Sequence, residues 1–114
     1  DSTTANEDNL KRIPKNVAIE KVSSDDPKLI SKILAEKGCN KVLWECGPEL
    51  ATAAVKAGCI QEFITFIAPK ILGGTNGMNP FSDFEFKSMS EVINLNTHEI
   101  SLYSKDIYLR NLMN

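Results

Sequence analysis

The amino-acid sequence predicts an α/β domain whose mixed sheet is parallel in its centre and antiparallel near the C-terminus, with helices flanking it. Between residues 17 and 68, short apolar runs alternate with helical patterns, which is typical of parallel strands joined by crossover helices. Beyond Pro69, four short β-like runs follow one another with polar turns between them. Runs that lack intervening helices favour antiparallel pairing at the end of an otherwise parallel sheet.

The first predicted strand covers residues 17–22, and a helix follows it. Asp26 can accept hydrogen bonds from the free amide groups of the first helical turn, and Pro27 fits the first helical position. Apolar residues then recur at helical spacing as far as Lys37. Gly38 follows them and is predicted to end the helix, because glycine adopts the left-handed conformation common after a last turn.

A second strand is predicted at residues 41–45, a short apolar run that ends in an acid and is typical of a buried parallel strand. A Gly-Pro turn leads from it into a second helix, Pro48–Lys56, which is rich in small apolar residues and is predicted to end at Gly58. A third strand is predicted at residues 60–68.

The remainder of the chain is predicted to be a glycine-rich connection followed by short strands. Residues 71–77 hold three glycines and are interpreted as a polar connection, with a mobile loop as the alternative. The β-like runs that follow are residues 84–89, 92–96, 99–104 and 106–112.

Composition indicates one domain that covers residues 1–114 and excludes several classes of function. Hydrophobic residues make up 42% and charged residues 25%, as in ordinary globular proteins. A net charge of −2 gives no cationic field for nucleic acid, so no nucleic-acid partner is predicted. No apolar run reaches the roughly 20 residues of a membrane helix, so no membrane partner is predicted. The chain begins at Asp1 rather than Met, which indicates a fragment of a longer protein.

The cysteines point to a reducing compartment and not to a metal. Cys39, Cys46 and Cys59 are odd in number and widely spaced, unlike a secreted disulfide framework. We therefore expect free thiols and a cytoplasmic location. No C-x-x-C pair is present and His98 is the single histidine, so four nitrogen or sulfur ligands for zinc are not available at the usual spacings.

The joint between the second strand and the second helix is the most informative segment for function. Helix N-termini bind phosphates, and Gly47 would let a phosphate approach the backbone. The alternative is an ordinary strand–helix joint, since the G-x-G-x-x-G pattern of dinucleotide-binding proteins is absent. Glu45 either accepts hydrogen bonds from a ligand or is simply exposed at the edge of the sheet.

Three blocks in order resemble the reductase domain of bacterial riboflavin biosynthesis. They are L-W-E-C-G-P-E-L-A at residues 43–51, A-G-C-I-Q-E-F at 57–63 and I-A-P-K-I-L-G-G at 67–74. In many bacteria this domain is the C-terminal half of a bifunctional deaminase–reductase. The resemblance departs at Cys46, where the family more often has Gly, Ala or Ser, and in length, because the family domain is about twice as long.

The resemblance implies a dihydrofolate-reductase-like fold, of which this chain is a partial domain, and NADPH as cofactor. It implies reduction of a small pyrimidine, 5-amino-6-(5-phosphoribosylamino)uracil, a homodimer and a deaminase domain upstream. It also implies that Glu45 contacts the substrate. The residues that would line the NADPH phosphates are Gly47, Pro48, Glu49, Leu50, Ala51, Thr52 and Ala53.

Two alternatives to this reductase stay open at the level of sequence. The chain is either a non-catalytic fragment that supports dimerisation, which the missing half of the domain favours, or a related reductase with another substrate, because fold does not fix function. No residue is assigned as a proton donor. Catalysis in such an enzyme depends mainly on positioning the cofactor and the substrate.

Overall fold

The computed structural model describes residues 11–74 and 77–113, which form two helices and one sheet. The helices are α1, Pro27–Glu36, and α2, Pro48–Lys56. The strands are β1, Glu62–Ile67; β2, Leu95–Tyr103; and β3, Asp106–Met113. A single 3₁₀ turn at Met89–Glu91 precedes β2.

Helix α1 begins and ends as the sequence predicts. The Oδ1 of Asp26 accepts a hydrogen bond from the Lys28 amide at 2.9 Å, which caps the first turn. After the last turn Gly38 has a φ of 87°, and the Cys39 amide donates back to the Leu34 carbonyl at 3.0 Å. This arrangement is a Schellman motif, which satisfies carbonyl groups that the end of a helix leaves free.

Helix α2 ends in the same way but begins differently. Gly58 has a φ of 70°, and the Cys59 amide donates to the Ala54 carbonyl at 2.9 Å. At its N-terminus, Gly47 is the capping residue, and a glycine has no side chain with which to accept a hydrogen bond from the first turn. The first turn of α2 therefore has no side-chain cap, in contrast to the first turn of α1.

The sheet has three strands in the order β1-β3-β2, and both pairs are antiparallel. The predicted antiparallel ending is confirmed, and so is the third predicted strand, as β1. The runs at 92–96 and 99–104 were predicted as separate strands, but Leu95–Tyr103 forms one strand, β2, with an irregularity between Thr97 and Glu99. Extra residues of this kind bend a strand without ending it, which explains why the break in the pattern does not mark a turn.

The predicted parallel centre of the sheet is wrong for the described residues. Residues 17–22 and 41–45 have no strand partner, and residues 84–89 form a loop instead of a strand. A strand exists only through hydrogen bonds to a neighbouring strand, and no described segment lies in place to supply them. As a result Leu43, predicted to be buried, is 77% exposed. Residues 17–22 are instead tied to α1 by an ion pair of 2.8 Å between Glu20 and Lys37.

The sheet exposes apolar side chains on both faces. Residues opposite each other in an antiparallel pair lie on the same face, so the register places Phe66, Tyr103 and Tyr108 together, with Phe66 and Tyr108 rings 5.3 Å apart. The other face carries aliphatic residues, which are Ile67, Ile100, Leu102 and Ile107. Among the described residues Ala54 is the single buried hydrophobic one, so these surfaces lack the cover that a sheet of a globular domain receives.

One ion pair crosses the sheet between β1 and β3. The Arg110 guanidinium donates two hydrogen bonds to the Glu62 carboxylate, at 2.7 and 2.9 Å. These bonds lower the pKa of Glu62, and they raise that of Arg110. The two-pronged geometry fixes the register of β1 against β3 at the Glu62 end.

Neither helix of the described residues has the length and apolar character needed to cross a membrane.

Candidate functional site

A cavity of 380 Å³ opens at the N-terminus of α2. Its lining residues come from the start of α2 and from the segment before α1, and they are Asp25, Gly47, Pro48, Glu49, Leu50 and Ala53. Asp25 lies directly before the capping residue of α1, so the segment that leads into α1 contributes one wall of the cavity. Helix N-termini carry a partial positive charge, which makes this end of the fold suited to a negatively charged ligand group.

The backbone at this cavity has donors to offer. Pro48 has no amide hydrogen, and the Ala51 amide already donates to the Gly47 carbonyl at 3.0 Å. The amides of Glu49 and Leu50 have no acceptor within residues 11–74 and 77–113. Two backbone amides, those of Glu49 and Leu50, are thus available to a ligand.

Gly47 leaves open space in front of these amides. Its φ of −67° and ψ of 168° are ordinary extended values, so its backbone does not require glycine. A Cβ built at Gly47 would meet no atom within 4 Å. The space is therefore not filled by the protein itself, and a side chain at this position would project into it.

Two carboxylates give the cavity a mixed chemistry. Asp25 and Glu49 both line it, and both are exposed. Carboxylates repel phosphate oxygens but accept hydrogen bonds from hydroxyl groups. The cavity thus offers amide donors for an anion at the start of α2 and acceptors for sugar hydroxyls beside them.

The structure brings five of the seven predicted cofactor residues to this cavity and places two elsewhere. Ala51 lines a second cavity on another side of α2. Thr52 is 5% exposed, and its hydroxyl is hydrogen-bonded to Ser82. Glu45 is exposed and lines neither cavity, with no hydrogen bond or ion pair in the described part of the chain.

The second cavity measures 530 Å³ and separates residues 39–44 from the beginning of β1. Trp44 and Val55 contribute to its lining, together with Phe63 of β1 and Phe81. β1 is an edge strand here, because the strand order leaves one of its sides unpaired. The cavity therefore lies between an unpaired strand edge and the segment predicted to be a strand.

Two residues of this region were not predicted from the sequence. Asp25 was not predicted because the adjacent Asp26 is the capping residue of α1. Ser82 was not predicted because it lies 30 residues from its partner Thr52. No local pattern marks Ser82.

Within the described ranges, no group of three or more His, Cys, Asp or Glu residues is arranged to hold a metal ion. Cys39, Cys46 and Cys59 are free thiols. His98 is exposed at the irregularity in β2.

Fold and cavity together define a mixed α/β protein in which an uncapped helix N-terminus opens onto a ligand-sized space. The sequence matches the family of the RibD C-terminal domain over residues 2–109. The chain belongs to the RibD C-terminal domain family, and the resemblance found in the sequence is confirmed.

Individual relatives agree with this membership. The riboflavin biosynthesis protein RibD of Synechocystis sp. is 38% identical over 69 residues, which cover 60% of this chain and 19% of that protein. RibD of Buchnera aphidicola is 34% identical over 101 residues, covering 88% of this chain and 26% of that protein. A solved structure of Acinetobacter baumannii RibD has a TM-score of 0.67 at 23% identity, covering 86% of this chain and 26% of that chain. The chain thus spans between 19% and 26% of the length of these proteins.

Proposed function

We propose that this chain is part of an NADPH-dependent reductase of riboflavin biosynthesis that reduces 5-amino-6-(5-phosphoribosylamino)uracil. The observation that carries the proposal is the cavity at the uncapped N-terminus of α2, where two amides are available beside Gly47. The family supports it, because its relatives are named as riboflavin biosynthesis proteins.

The residues at the cavity fit a nucleotide cofactor. The amides of Glu49 and Leu50 would hold phosphate oxygens of NADPH, and Gly47 leaves room for them. The carboxylates of Asp25 and Glu49 would accept hydrogen bonds from ribose hydroxyls. When bound, NADPH would supply the hydride, which together with one proton converts the phosphoribosyl unit into a ribityl phosphate.

Substrate contact is proposed for Glu45, two residues before Gly47. Its carboxylate is exposed on the same turn that leads into α2, and it has no protein partner to release within the described ranges. A free carboxylate so placed can accept hydrogen bonds from the amino and amide groups of a pyrimidine. Its role is to orient the substrate, because proton donation is assigned to no residue.

We also propose that the chain completes a dihydrofolate-reductase-like domain together with further polypeptide. The unpaired edge of β1 and the cavity of 530 Å³ beside it leave space for another element of the sheet. The relatives are several times longer than this chain, and a deaminase domain upstream accounts for part of that length. We also propose a cytoplasmic location, which the free cysteines and a metabolic role support.

The direct test is NADPH oxidation by the full-length protein with the pyrimidine substrate. We expect turnover that depends on both compounds and saturates with each of them. Absence of turnover with NADPH and this pyrimidine, in protein that is folded by circular dichroism, would rule out the proposed reaction.

We further propose that the protein assembles as a homodimer. The exposed apolar residues of the sheet, which include Phe66 at 60% and Leu102 at 73% exposure, are typical of a surface covered by a partner. Edge strands also tend to be paired or covered. Light scattering coupled to size exclusion is expected to give twice the monomer mass. A clean monomer across a wide concentration range would contradict this proposal.

A second candidate function is non-catalytic support of a larger assembly, and the same exposed sheet favours it. Under this alternative the cavity at α2 would bind no nucleotide, and the apolar faces would be the functional surface. Titration of NADPH into the full-length protein separates the two, because only the reductase is expected to bind it. A reductase of the same fold with another substrate would bind NADPH but leave the pyrimidine unreduced.

A further inference from the structure

Thr52 is the most deeply buried polar residue of the candidate cofactor helix. It is 5% exposed, lies one turn after Pro48 and is bonded to a segment 30 residues away. Its Oγ1 accepts a hydrogen bond from the Ser82 amide at 2.9 Å and donates one to the Ser82 carbonyl at 3.4 Å. The same Ser82 amide also donates to the Pro48 carbonyl at 3.3 Å. Both bonding directions of the hydroxyl are thus used within the protein.

Ser82 belongs to residues 81–86, which we call the strap because they connect α2 to the sheet. Toward the sheet, the Phe81 ring lies 5.3 Å from that of Phe63 in β1. Toward the helix, the Lys56 ammonium lies 5.6 Å from the centre of the Phe84 ring, near the end of α2. Phe84 also contacts Phe81 at 5.7 Å, so the strap is internally packed.

The strap therefore holds α2 at two points. The Lys56 contact secures the C-terminal end, and the bonds from Ser82 to Thr52 and Pro48 secure the first turn. The first turn is the one whose amides face the cavity of 380 Å³. A displacement of this turn would move those amides away from a bound phosphate, and hydrogen bonds weaken steeply with such changes of distance and angle.

We infer that Thr52 is a positioning residue: its hydroxyl joins the strap to α2 and so sets the place of the cavity amides. This inference rests on the proposed binding of NADPH at that cavity. It assigns Thr52 a role other than the direct cofactor contact predicted from the sequence. The backbone amides of Glu49 and Leu50 would contact the ligand, and Thr52 would act by holding these amides in place.

The hydroxyl, rather than the shape of the side chain, is the feature under test. Valine has nearly the shape of threonine but cannot accept from the Ser82 amide or donate to its carbonyl. Without the Thr52 hydroxyl, the Ser82 amide and carbonyl would each lose a hydrogen bond at a part-buried position, which weakens the local structure. Serine keeps the hydroxyl and loses only a methyl group.

The experiment compares Thr52→Val and Thr52→Ser in the full-length protein, with Thr97→Val as the matched control. Thr97 donates to the Asn111 Oδ1 at 3.0 Å across the β2–β3 pair, so its replacement also removes a hydroxyl bond, but at the sheet. Four quantities are measured: KM and kcat with NADPH, the melting temperature, and hydrogen exchange of the amides of residues 81–84.

We expect Thr52→Val to raise KM for NADPH about 3- to 10-fold with kcat nearly unchanged, as for loss of one well-placed hydrogen bond. Exchange at residues 81–84 should rise by about the same factor, and Thr52→Ser should restore both values. Thr97→Val should lower the melting temperature but leave KM unchanged. If valine is not tolerated in folding, Thr52→Ala serves the same comparison against serine.

An unchanged KM in a folded Thr52→Val protein, or an equal rise in Thr97→Val, would overturn the inference while leaving the proposed function intact. A rise in Thr52→Val that serine fails to reverse would also overturn it, because the hydroxyl would not be the cause. A parent protein that does not bind NADPH would instead overturn the proposed function, and the positioning role with it.

Discussion

Replacing Gly47 by valine is expected to weaken NADPH binding about 10- to 100-fold in the full-length protein. This factor corresponds to the loss of about 1.4–2.8 kcal/mol, as for one or two charge-assisted hydrogen bonds. The side chain would occupy the space in front of the Glu49 and Leu50 amides, where the phosphate oxygens are proposed to lie. Isothermal titration measures the affinity directly.

The fold is expected to tolerate this change. Gly47 has ordinary extended backbone angles, and a Cβ there would meet no atom within 4 Å, so neither strain nor a clash is introduced. Valine is a poorer capping residue than glycine, which costs about 0.5–1 kcal/mol of stability. Because that cost is small, lost affinity would report on the ligand and not on unfolding.

A matched control makes the result decisive. Gly77 also has no atom within 4 Å of a built Cβ and does not line the cavity, so Gly77→Val makes the same chemical change outside the candidate site. We expect the control to bind NADPH like the parent. If Gly47→Val melts near the parent and binds equally well, the phosphates lie elsewhere and the turn is only a joint between two elements.

The helices could be predicted from the sequence because their signals are local. Asp26 and Pro27 at the start of α1, and Gly38 and Gly58 after the two helices, act on their own and the adjacent turn. Each of these helix signals depends on atoms within a few residues and not on the remainder of the chain. The hairpin of β2 and β3 is similarly short in range, with Ser104 at a φ of 58° in its turn.

The parallel centre could not be predicted in the same way, because a strand is defined by its neighbour. Residues 41–45 carry the apolar pattern of a buried strand, yet no described segment pairs with them. The apolar pattern is typical of a strand that has neighbouring strands, and the described residues do not supply such neighbours. Leu43 at 77% exposure and the cavity beside β1 show where that environment is missing.

The candidate site was predictable where it is continuous in sequence and not where it is assembled from distant segments. Gly47, Pro48 and Glu49 follow one another at the helix start, so the sequence alone places them together. Asp25 and Ser82 reach the same region through the packing of other elements. The family resemblance implied that Thr52 contacts the cofactor, but its side chain is buried and hydrogen-bonded to Ser82.

The 114-residue chain by itself is expected to show little or no reductase activity. The full-length protein should turn over within range of the enzyme median of about 10 per second, and the isolated chain at least about 100-fold more slowly. The reason is geometric: catalysis by positioning requires both reactants to be held within a fraction of an ångström, and in the proposed reductase the described residues would form one wall of the site. Glu45 and the α2 cavity face open solvent.

The assay should distinguish loss of catalysis from loss of binding. NADPH oxidation with saturating pyrimidine is compared between the isolated chain and the full-length protein, and NADPH affinity is titrated for each. Because the α2 amides belong to a local element, weak NADPH binding by the isolated chain is compatible with the prediction, whereas turnover is not. Turnover near 10 per second from the isolated chain would show that residues outside it are dispensable, and that its exposed sheet has some use other than completing the reductase site.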